Sequence, residues 1–278
     1  MRNRFRHAVP VAIVGIVALF VLAGCEECPD FGEEQQTGEC ALTGYVLDAI
    51  SGDGVSGAEV YIVGDGSAET DESGWFFIAD APCGDQTVEI TADGYIDLET
   101  EISIGDTTEQ DFAIVPVSEF DDWRFILSWG QDPADLDSHL WVPLNVESYW
   151  HVYYANDGYL DQEPYAQLDV DDVTSYGPET ITIRKHNIEE RSQDFYDGEY
   201  IYAVKHYSGA SSIPESGATV RIYRGNVLVR TITAPPGTAY DDWYWYVGRL
   251  NCRTGAWTLV NTYSASSPAM LYDGPDTK

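Results

Sequence analysis

Hydrophobic and polar residues alternate in short runs along most of this chain, with Gly, Pro, Asn and Asp between the runs. Such runs are typical of β-strands that bury one face. Strands are predicted near 42–48, 57–63, 75–77, 87–90, 123–129, 180–184, 199–206, 219–224, 227–233 and 243–247. Gly225-Asn226 separates two of these runs, which is a hairpin signal. No segment shows a convincing helical period, so the pattern predicts an all-β protein.

The predicted strands fall into two groups, at residues 40–116 and 121–264, joined by a short hinge at 117–120. Two consecutive antiparallel β-sandwich domains are therefore predicted. Residues 25–39 are predicted to be an acidic tether, and residues 265–278 a flexible tail. The hydrophobic content of 44% and aromatic content of 13% exclude a disordered chain, because they supply ample material for a core.

The first 24 residues have the character of an export signal. Three arginines in the first six residues precede an apolar run at 8–22, which is short for a membrane span of ~20 residues. Leu22-Ala23-Gly24-Cys25 then resembles the lipobox of bacterial lipoproteins. The resemblance implies a signal peptide at 1–24 and a lipid on the thiol of Cys25. A transmembrane anchor and an ordinary signal peptide are the alternatives.

Acidic residues greatly outnumber basic ones. The 47 Asp and Glu against 14 Lys and Arg give a formal net charge of −33, which becomes −36 when the three signal-peptide arginines are lost. This field repels nucleic acid and anionic lipid, so neither is expected as a partner. It is compatible with cation binding, but also with a merely solvated acidic surface. Glu26 is not an Asp retention signal, so sorting to the outer membrane is expected, on either of its faces.

Besides Cys25, the chain has four cysteines: Cys28, Cys40, Cys83 and Cys252. An even number in an oxidising compartment predicts two disulfides, with three possible connectivities. The pair Cys40 and Cys83 is favoured, because both cysteines would lie inside one small domain.

A set of glycines, turn residues and buried positions recurs through residues 40–116. It consists of Gly44, Val46, Asp48, Gly57-Ala58, Val60, Thr70-Asp71, Gly74, Phe76 and Gly94-Tyr95. This set resembles the carboxypeptidase regulatory-like domain, a small transthyretin-like β-sandwich. The resemblance implies a spacer or adhesion module without catalytic residues. Asp71 and Gly74 are accordingly predicted to form a turn.

Residues 121–264 carry a second series of motifs. They are Leu127-Ser128-Trp129-Gly130, Asp135-Leu136-Asp137-Ser138-His139-Leu140, His151-Val152-Tyr153-Tyr154, Leu168-Asp169-Val170-Asp171-Asp172, Tyr176-Gly177-Pro178-Glu179-Thr180, His206-Tyr207-Ser208 and Ala218-Thr219-Val220-Arg221-Ile222-Tyr223. In this order they resemble the YfaP-type domain of bacterial envelope and surface proteins. The resemblance implies an envelope β-domain and no known activity.

Acidic residues recur at strand spacing in this second domain. Residues two apart on a strand share a face, so Asp135, Asp137 and His139 are expected on one face. Asp169 and Asp171 are expected on one face of another strand, with Asp172 opposite. Carboxylates suit Ca²⁺, which takes six to eight oxygen ligands. The candidate ligands are Asp135, Asp137, Asp171, Asp172 and Glu179.

Three histidines, His139, His151 and His206, fall in the same motifs. With a carboxylate they form an alternative ligand set for Zn²⁺ or another transition metal. The competing interpretation is a buried polar network in which each imidazole bonds a neighbouring Asp or Tyr.

Two dense aromatic runs form a further candidate site. Their members Tyr149, Trp150, Tyr153, Trp243 and Trp245 are candidates for an exposed surface that stacks on a glycan or docks a protein. The alternative is that these rings pack the core on one face and cover loops on the other.

No Gly-x-Ser-x-Gly elbow or Gly-rich phosphate loop is present, so a non-enzymatic protein is predicted. The leading hypothesis is a lipid-anchored envelope protein that presents a β-sandwich binding module for a protein or glycan. The pattern requires no cofactor; Ca²⁺ is the first candidate and Zn²⁺ a less favoured one. One competing hypothesis is a metal-dependent hydrolase centred on His139, His151, Asp137 and Asp171. Another is a purely structural surface-assembly component.

Overall fold

The computed structural model describes residues 40–145, 148–184, 198–239, 243–251 and 254–268. The predicted signal peptide, the predicted lipidation site Cys25 and the predicted tether at 25–39 lie outside these residues, as do Cys28, Cys252 and residues 269–278 of the predicted tail. Strands dominate the described part, and Ile213–Glu215 forms a single 3₁₀ turn. The predicted all-β class is therefore confirmed.

Residues 40–116 form a first β-sandwich. The strands described in it are β1 (Cys40–Asp48), β2 (Glu59–Ile62), β3 (Ser67–Glu69), β4 (Trp75–Ala81), β5 (Gly84–Thr91), β6 (Tyr95–Ile96), β7 (Leu98–Ile104), β8 (Thr108–Glu109) and β9 (Phe112–Pro116). One sheet has the order β4-β1-β9-β6, with β8 paired to β1, and the other has the order β3-β2-β5-β7. Val60, Phe76 and Ile90 are buried between the sheets.

The Cys40–Cys83 disulfide, favoured from the sequence, is confirmed. It joins the first residue of β1 to the turn between β4 and β5. Asp71 also has its predicted role, because its Oδ1 accepts hydrogen bonds from the backbone N–H groups of Ser73 at 2.8 Å and Trp75 at 3.0 Å. Gly74 completes this turn at a φ of 85°, in the left-handed region that favours glycine.

Residues 123–264 form a second sandwich. The strands described in it are β10 (Trp123–Ser128), β11 (Asp135–Asn145), β12 (Ser148–Val152), β13 (Gly158–Tyr159), β14 (Ala166–Val170), β15 (Glu179–Ile183), β16 (Glu199–Ser208), β17 (Thr219–Arg224), β18 (Val227–Thr233), β19 (Tyr244–Asn251) and β20 (Trp257–Ser264). The sheets have the orders β13-β14-β15-β10-β17-β18 and β12-β11-β16-β19-β20. Phe125 and Tyr202 stack between them at a centroid distance of 4.8 Å.

The hairpin predicted at Gly225-Asn226 is confirmed, since β17 and β18 pair antiparallel on either side of it. This turn also contacts the link between the sandwiches. Asn226 accepts a hydrogen bond from the Ser118 backbone N–H at 2.9 Å and donates one to the Ser118 carbonyl at 3.0 Å. The segment predicted as a hinge is therefore bonded to the second sandwich.

The outer face of β10 and β17 packs on the first sandwich. Ala113 and Val115 of β9 share a buried cluster with Ile126 and Tyr223. Arg221, which is buried beside them, donates a hydrogen bond to the Ala113 carbonyl at 3.0 Å. Apolar burial and this charge-assisted bond join the two sandwiches at one junction.

Candidate functional site

The first half of β11 has a strand neighbour on one side only, among the described strands. Its residues 135–141 pair with β16, whereas β12 pairs with it only from Leu140 onward. On the side that β12 leaves open, the Ser138 backbone N–H donates a short hydrogen bond to Glu179 Oε2. The Glu179 carboxylate therefore satisfies a backbone donor that the strand ladder does not.

Glu179 reaches this position because it opens β15. It alternates in phase with Ile181 and Ile183, both of which belong to the core between the sheets. Period-two alternation therefore directs Glu179 inward as well, and the residue is 0% exposed. An ionisable side chain this deeply buried requires a partner, because desolvating its charge is costly.

Three carboxylates meet at the open side of β11. Ligand oxygens of Asp135, Asp137 and Glu179 all lie within 4.8 Å of one another. Asp135 and Asp137 are only 4% and 3% exposed. Within the described part of the chain, Asp135 Oδ1, Asp137 Oδ2 and Glu179 Oε1 are buried with no hydrogen-bond donor. Three carboxylates that bring oxygens together without donors are an arrangement that could hold a cation.

Two further acids of the predicted set lie at the edge of this cluster. Asp171 is exposed and Asp172 half-buried, and both follow the end of β14. The Asp171 carboxylate repels Asp135, Asp137 and Glu179 electrostatically, and Asp172 repels Asp135. We name Asp135, Asp137 and Glu179 the carboxylate cluster, with Asp171 and Asp172 as its rim.

The protonation of the cluster follows from its burial. Desolvation, with repulsion from Asp171 and Asp172, raises the pKa of Asp135 to about 6. Desolvation, with repulsion from Asp135 and Asp171, raises the pKa of Asp137 to about 7. Desolvation also raises the pKa of Glu179 well above its usual value, although the Ser138 N–H opposes this. Without a cation, the folded protein therefore retains protons here that the unfolded chain loses.

We expect the metal-depleted protein to lose stability as the pH rises from about 4 to about 7. A carboxyl whose folded pKa is raised stabilises the fold fully below its unfolded pKa, here 3.8, and this contribution is lost as the pH rises through the folded values of about 6 and 7. Urea unfolding after metal removal, at pH 5 and pH 8, measures the difference. Asp137→Asn should flatten the dependence; an equally steep dependence in that variant would show that other groups cause it.

Asp169 and Asp171 do not share a face of one strand, contrary to the expected alternation. Its carboxylate bonds Thr182 and lies near the guanidinium groups of Arg124 and Arg184, while Asp171 lies by the carboxylate cluster. The reason is that β14 ends at Val170, so strand alternation no longer relates the two residues.

The histidines do not form the ligand set considered for Zn²⁺. His139 Nδ1 and His151 Nε2 are hydrogen-bonded to each other at 2.8 Å, which occupies one nitrogen of each ring. Among the described residues, no group of three potential ligands that includes a histidine brings its ligand atoms as close as the carboxylate cluster does. Desolvation lowers the pKa of His139 well below its usual value and that of His151 to about 4, so both rings are neutral at pH 7.

These two histidines belong to a stack of rings on β11 and β12. His151 lies nearly parallel to Trp141 at a centroid distance of 4.6 Å and to Tyr153 at 4.1 Å. His139 stacks on Tyr153 at 5.5 Å, and its Nε2 lies 4.0 Å from Asp137 Oδ2. His139 and His151 therefore bond each other among stacked rings, next to the carboxylate cluster, whereas the predicted network had each imidazole bonding a neighbouring Asp or Tyr.

A cavity of about 440 Å³ opens beside this stack. Its lining consists of Asp137, His139, His151, Tyr153, Tyr154, Lys205, His206, Tyr207 and Tyr244. We name it the tyrosine cavity. Asp137 lines it and also belongs to the carboxylate cluster, so the two sites are contiguous. His206 contributes here rather than to a metal site with the other histidines.

The aromatic surface predicted from the sequence is partly wrong. Trp245 is fully buried, with Nε1 donating to Asn261 Oδ1 at 2.7 Å, and Trp150 packs on the main core. Tyr149 packs on a small cluster on the outer face of the sheet, and Trp243 is half-buried and outside the cavity lining. Of the five candidates, Tyr153 alone lines the tyrosine cavity.

Sequence reasoning missed Tyr154, Lys205, Tyr207 and Tyr244 as site residues. Lys205 and Tyr207 lie on β16, and Tyr244 begins β19. Only the pairing of β11 with β16, and of β16 with β19, brings them to the cavity. Lys205, Tyr207 and Tyr244 do alternate in phase with others of their strands, but alternation alone does not reveal which strands are neighbours. Tyr154 lies in a turn after β12, where no alternation applies.

Comparison with solved structures found several partial likenesses. One is a cohesin–X-dockerin complex of Acetivibrio cellulolyticus, 28% identical over 27% of this chain and 56% of that chain, with a TM-score of 0.24. A candidate carbohydrate binding protein of Bacteroides uniformis is 13% identical over 71% and 97%, with a TM-score of 0.26. A DUF3823 family protein of Bacteroides ovatus is 12% identical over 66% and 91%, with a TM-score of 0.24.

The chain thus spans just over half the length of the matched cohesin–dockerin chain. At these TM-scores the likenesses carry no inference about function. No curated protein matches the chain. The YfaP-type resemblance of residues 121–264 stays a prediction. Residues 41–115 match the profile of the carboxypeptidase regulatory-like domain family, so the first sandwich is similar to that domain, as its turn and core residues predicted.

Proposed function

We propose that the second sandwich is a non-enzymatic binding module stabilised by Ca²⁺. The observation that carries this proposal is the carboxylate cluster, whose three buried residues bring ligand oxygens within 4.8 Å of one another and each have a buried oxygen without a donor. Burying such charges is unfavourable unless a cation compensates them. A bound divalent ion would both offset most of the charge of the cluster and join β11 of one sheet to β15 of the other.

The donor set favours Ca²⁺ over transition metals. The cluster offers only carboxylate oxygens, which are the ligands of hard cations, whereas Zn²⁺ favours imidazole and thiolate. Asp135, Asp137 and Glu179 would hold the ion. The rim carboxylates of Asp171 and Asp172, with backbone carbonyls and water, would complete the six to eight ligands that Ca²⁺ takes.

We also propose that the protein is anchored in the cell envelope through a lipid on Cys25, with sorting to the outer membrane. The lipobox-like Leu22-Ala23-Gly24-Cys25 and the basic residues before it support this anchoring. In the part of the chain that the structure describes, no helix is long and apolar enough to span a bilayer. Metabolic labelling with a fatty acid tests the lipid, and Cys25→Ala should abolish the label.

We expect Ca²⁺ to raise the melting temperature of the full-length protein in detergent. A ligand that binds only the folded state adds about 2.7 kcal/mol at a hundred times its Kd. For a protein of this size, that corresponds to a shift of roughly 5–10 °C. Thermal unfolding followed by circular dichroism, with EDTA and then with Ca²⁺ or Zn²⁺, measures the shift.

Asp137→Asn should abolish the Ca²⁺ shift, because it removes one of the three buried carboxylates. Asp161→Asn is the matched control, since Asp161 is exposed and outside the cluster; it should keep the full shift. An unchanged melting temperature of the wild-type protein with Ca²⁺ would contradict the proposed function. A response to Zn²⁺ alone would favour transition-metal chemistry instead.

A metal-dependent hydrolase is the second candidate, because Asp137 is shared by the carboxylate cluster and the tyrosine cavity, where His139 and His151 also lie. The mutual hydrogen bond of the two histidines disfavours it, since it commits His139 Nδ1 and His151 Nε2 and leaves only one nitrogen of each ring for a general base. Chromogenic ester, phosphate and glycoside substrates, with Ca²⁺ or Zn²⁺, test it. Turnover that His139→Gln abolishes would establish the hydrolase.

A further inference from the structure

We propose that the tyrosine cavity binds a neutral saccharide. This inference deepens the proposed function, on which it rests for the cation beside Asp137. The cavity of about 440 Å³ has room for one or two sugar rings, within the usual range of ligand pockets. Its lining differs from the aromatic surface expected from the sequence, with which it shares only Tyr153.

Unpartnered polar groups line this cavity. His206 is only 5% exposed, and neither of its ring nitrogens has a hydrogen-bond partner among the described residues. The Nε2 of His139, which is 3% exposed, also lacks one. Buried polar atoms without partners are costly, so a ligand that bonds them would bind favourably.

The chemistry of these groups identifies the ligand as one that both donates and accepts hydrogen bonds. A neutral imidazole has one donor and one acceptor nitrogen, the Lys205 ammonium donates, and the Asp137 carboxylate accepts when it holds the proposed cation. Each sugar hydroxyl can donate and accept at once, so a polyhydroxylated ring can satisfy such a mixed lining. A purely apolar ligand would leave every one of these groups unsatisfied.

Tyrosine rings supply the apolar contacts that a sugar face requires. Tyr154 and Tyr207 are 42% and 57% exposed at the cavity, and their rings meet edge to face at a centroid distance of 5.3 Å. Tyr153 meets Tyr154 in the same way at 5.1 Å. Because these rings pack against one another, their side-chain freedom is already restricted. Little further freedom is therefore lost when a ring face binds the C–H groups of a sugar.

The charge around the cavity selects against acidic glycans. Asp135, Asp137, Asp171 and Glu179 lie at or beside it, against the single ammonium of Lys205. That ammonium is already held over the Tyr244 ring, 5.2 Å from its centroid. A carboxylated or sulfated sugar would be repelled by the acidic groups, as by the net charge of −33 on the whole chain.

A glycan microarray that carries neutral and acidic glycans tests the proposal, with the full-length protein in detergent and Ca²⁺. The strongest neutral glycan is then titrated in solution by calorimetry. Tyr207→Ala should weaken its binding about tenfold, a loss of ~1.4 kcal/mol that a stacked aromatic contact supplies. His206→Phe, which keeps a ring but removes both nitrogens, should weaken it as well.

Trp75→Ala is the matched control. Trp75 is 42% exposed and lies on β4 of the first sandwich, whereas the tyrosine cavity belongs to the second. It should leave the affinity unchanged. All three variants should keep the Ca²⁺ melting shift, which shows that they fold. A loss of binding in Trp75→Ala with none in Tyr207→Ala would overturn the proposal, since the glycan would then lie on the first sandwich.

The remaining outcomes separate this inference from the proposed function. Wild-type protein that shows the Ca²⁺ shift but binds no neutral glycan, or binds only acidic ones, overturns the saccharide site and leaves the cation site intact. Binding of a neutral glycan that depends on Tyr207 but persists in EDTA, with no melting shift, supports the saccharide site and overturns the cation site.

Discussion

Glu179→Gln is expected to stabilise the metal-depleted protein at pH 8 and to remove its response to Ca²⁺. Glu179 is fully buried, and its pKa is raised well above the usual value by desolvation and by the neighbouring acids Asp137 and Asp171. A glutamine can still accept the Ser138 N–H, while its amide N–H groups donate to those two carboxylates. Glutamine needs neither a buried charge nor a proton retained at pH 8, so the substitution should add roughly 3 kcal/mol.

The measurement is urea unfolding at pH 8 after metal removal, followed by thermal unfolding with Ca²⁺. Glu72→Gln is the control, because Glu72 is exposed in a turn of the first sandwich, and it should change neither quantity. Glu179→Gln should raise the stability of the metal-depleted protein and abolish its stabilisation by Ca²⁺. A general packing defect would instead lower the stability of the metal-depleted protein. A Glu179→Gln protein that is less stable than the wild type without metal would refute the view that this charge is uncompensated.

Removal of the Cys40–Cys83 disulfide, through Cys40→Ala with Cys83→Ala, is expected to lower the free energy of unfolding by about 4 kcal/mol. The two cysteines are 43 residues apart, and cross-linking a loop of that length restricts the unfolded chain by about this amount. Cys40 is also buried in the core of the first sandwich, so truncating its side chain adds a packing cost.

Urea unfolding followed by circular dichroism measures this loss in comparison with the wild type. The Ca²⁺ melting shift should persist in the double variant, because the carboxylate cluster belongs to the second sandwich. A destabilisation below about 1 kcal/mol would mean that the unfolded chain is already compact without the cross-link. Loss of the Ca²⁺ shift would mean that the junction between the sandwiches transmits the defect.

The junction between the sandwiches affects how the unfolding of Glu179→Gln and of the disulfide variant is interpreted. Ala113 and Val115 from the first sandwich are buried with Ile126 and Tyr223 from the second, and Arg221 bonds the Ala113 carbonyl. Because a linker bonded at Ser118 and a buried junction join the two sandwiches, their unfolding is expected to be coupled. This junction would hold the second sandwich at a fixed orientation to the first rather than on a free hinge.

Local features of the chain determined much of the fold. Period-two alternation predicted the all-β class and most strands of the second sandwich, and Gly225-Asn226 marked its hairpin. Asp71 and Gly74 formed their turn because their side chain and backbone preferences act over a few residues. The Cys40–Cys83 pair could be favoured because both cysteines lie within one compact segment.

Part of the carboxylate cluster was also visible in the sequence. Asp135 and Asp137 are two apart on one strand, so they share a face in any fold that keeps β11. Glu179 was a candidate only through its charge and its motif. Its burial depends on β15 lying opposite the open side of β11, which is a relation between two sheets.

The tertiary structure alone decided the inward and outward faces and the partners of each strand. Alternation divides Tyr244, Trp245 and Tyr246 into two faces, but it does not say which face meets the main core, and it is Trp245 that does. Likewise, Asp169 and Asp171 separated because β14 ends between them. Tyr207 and His206 reached Asp137 through the pairing of β16 with β11. Side-chain periodicity is a local property of the backbone, whereas strand order and the choice of buried face arise from packing the whole chain. Strand order and buried face together determine which residues form the site.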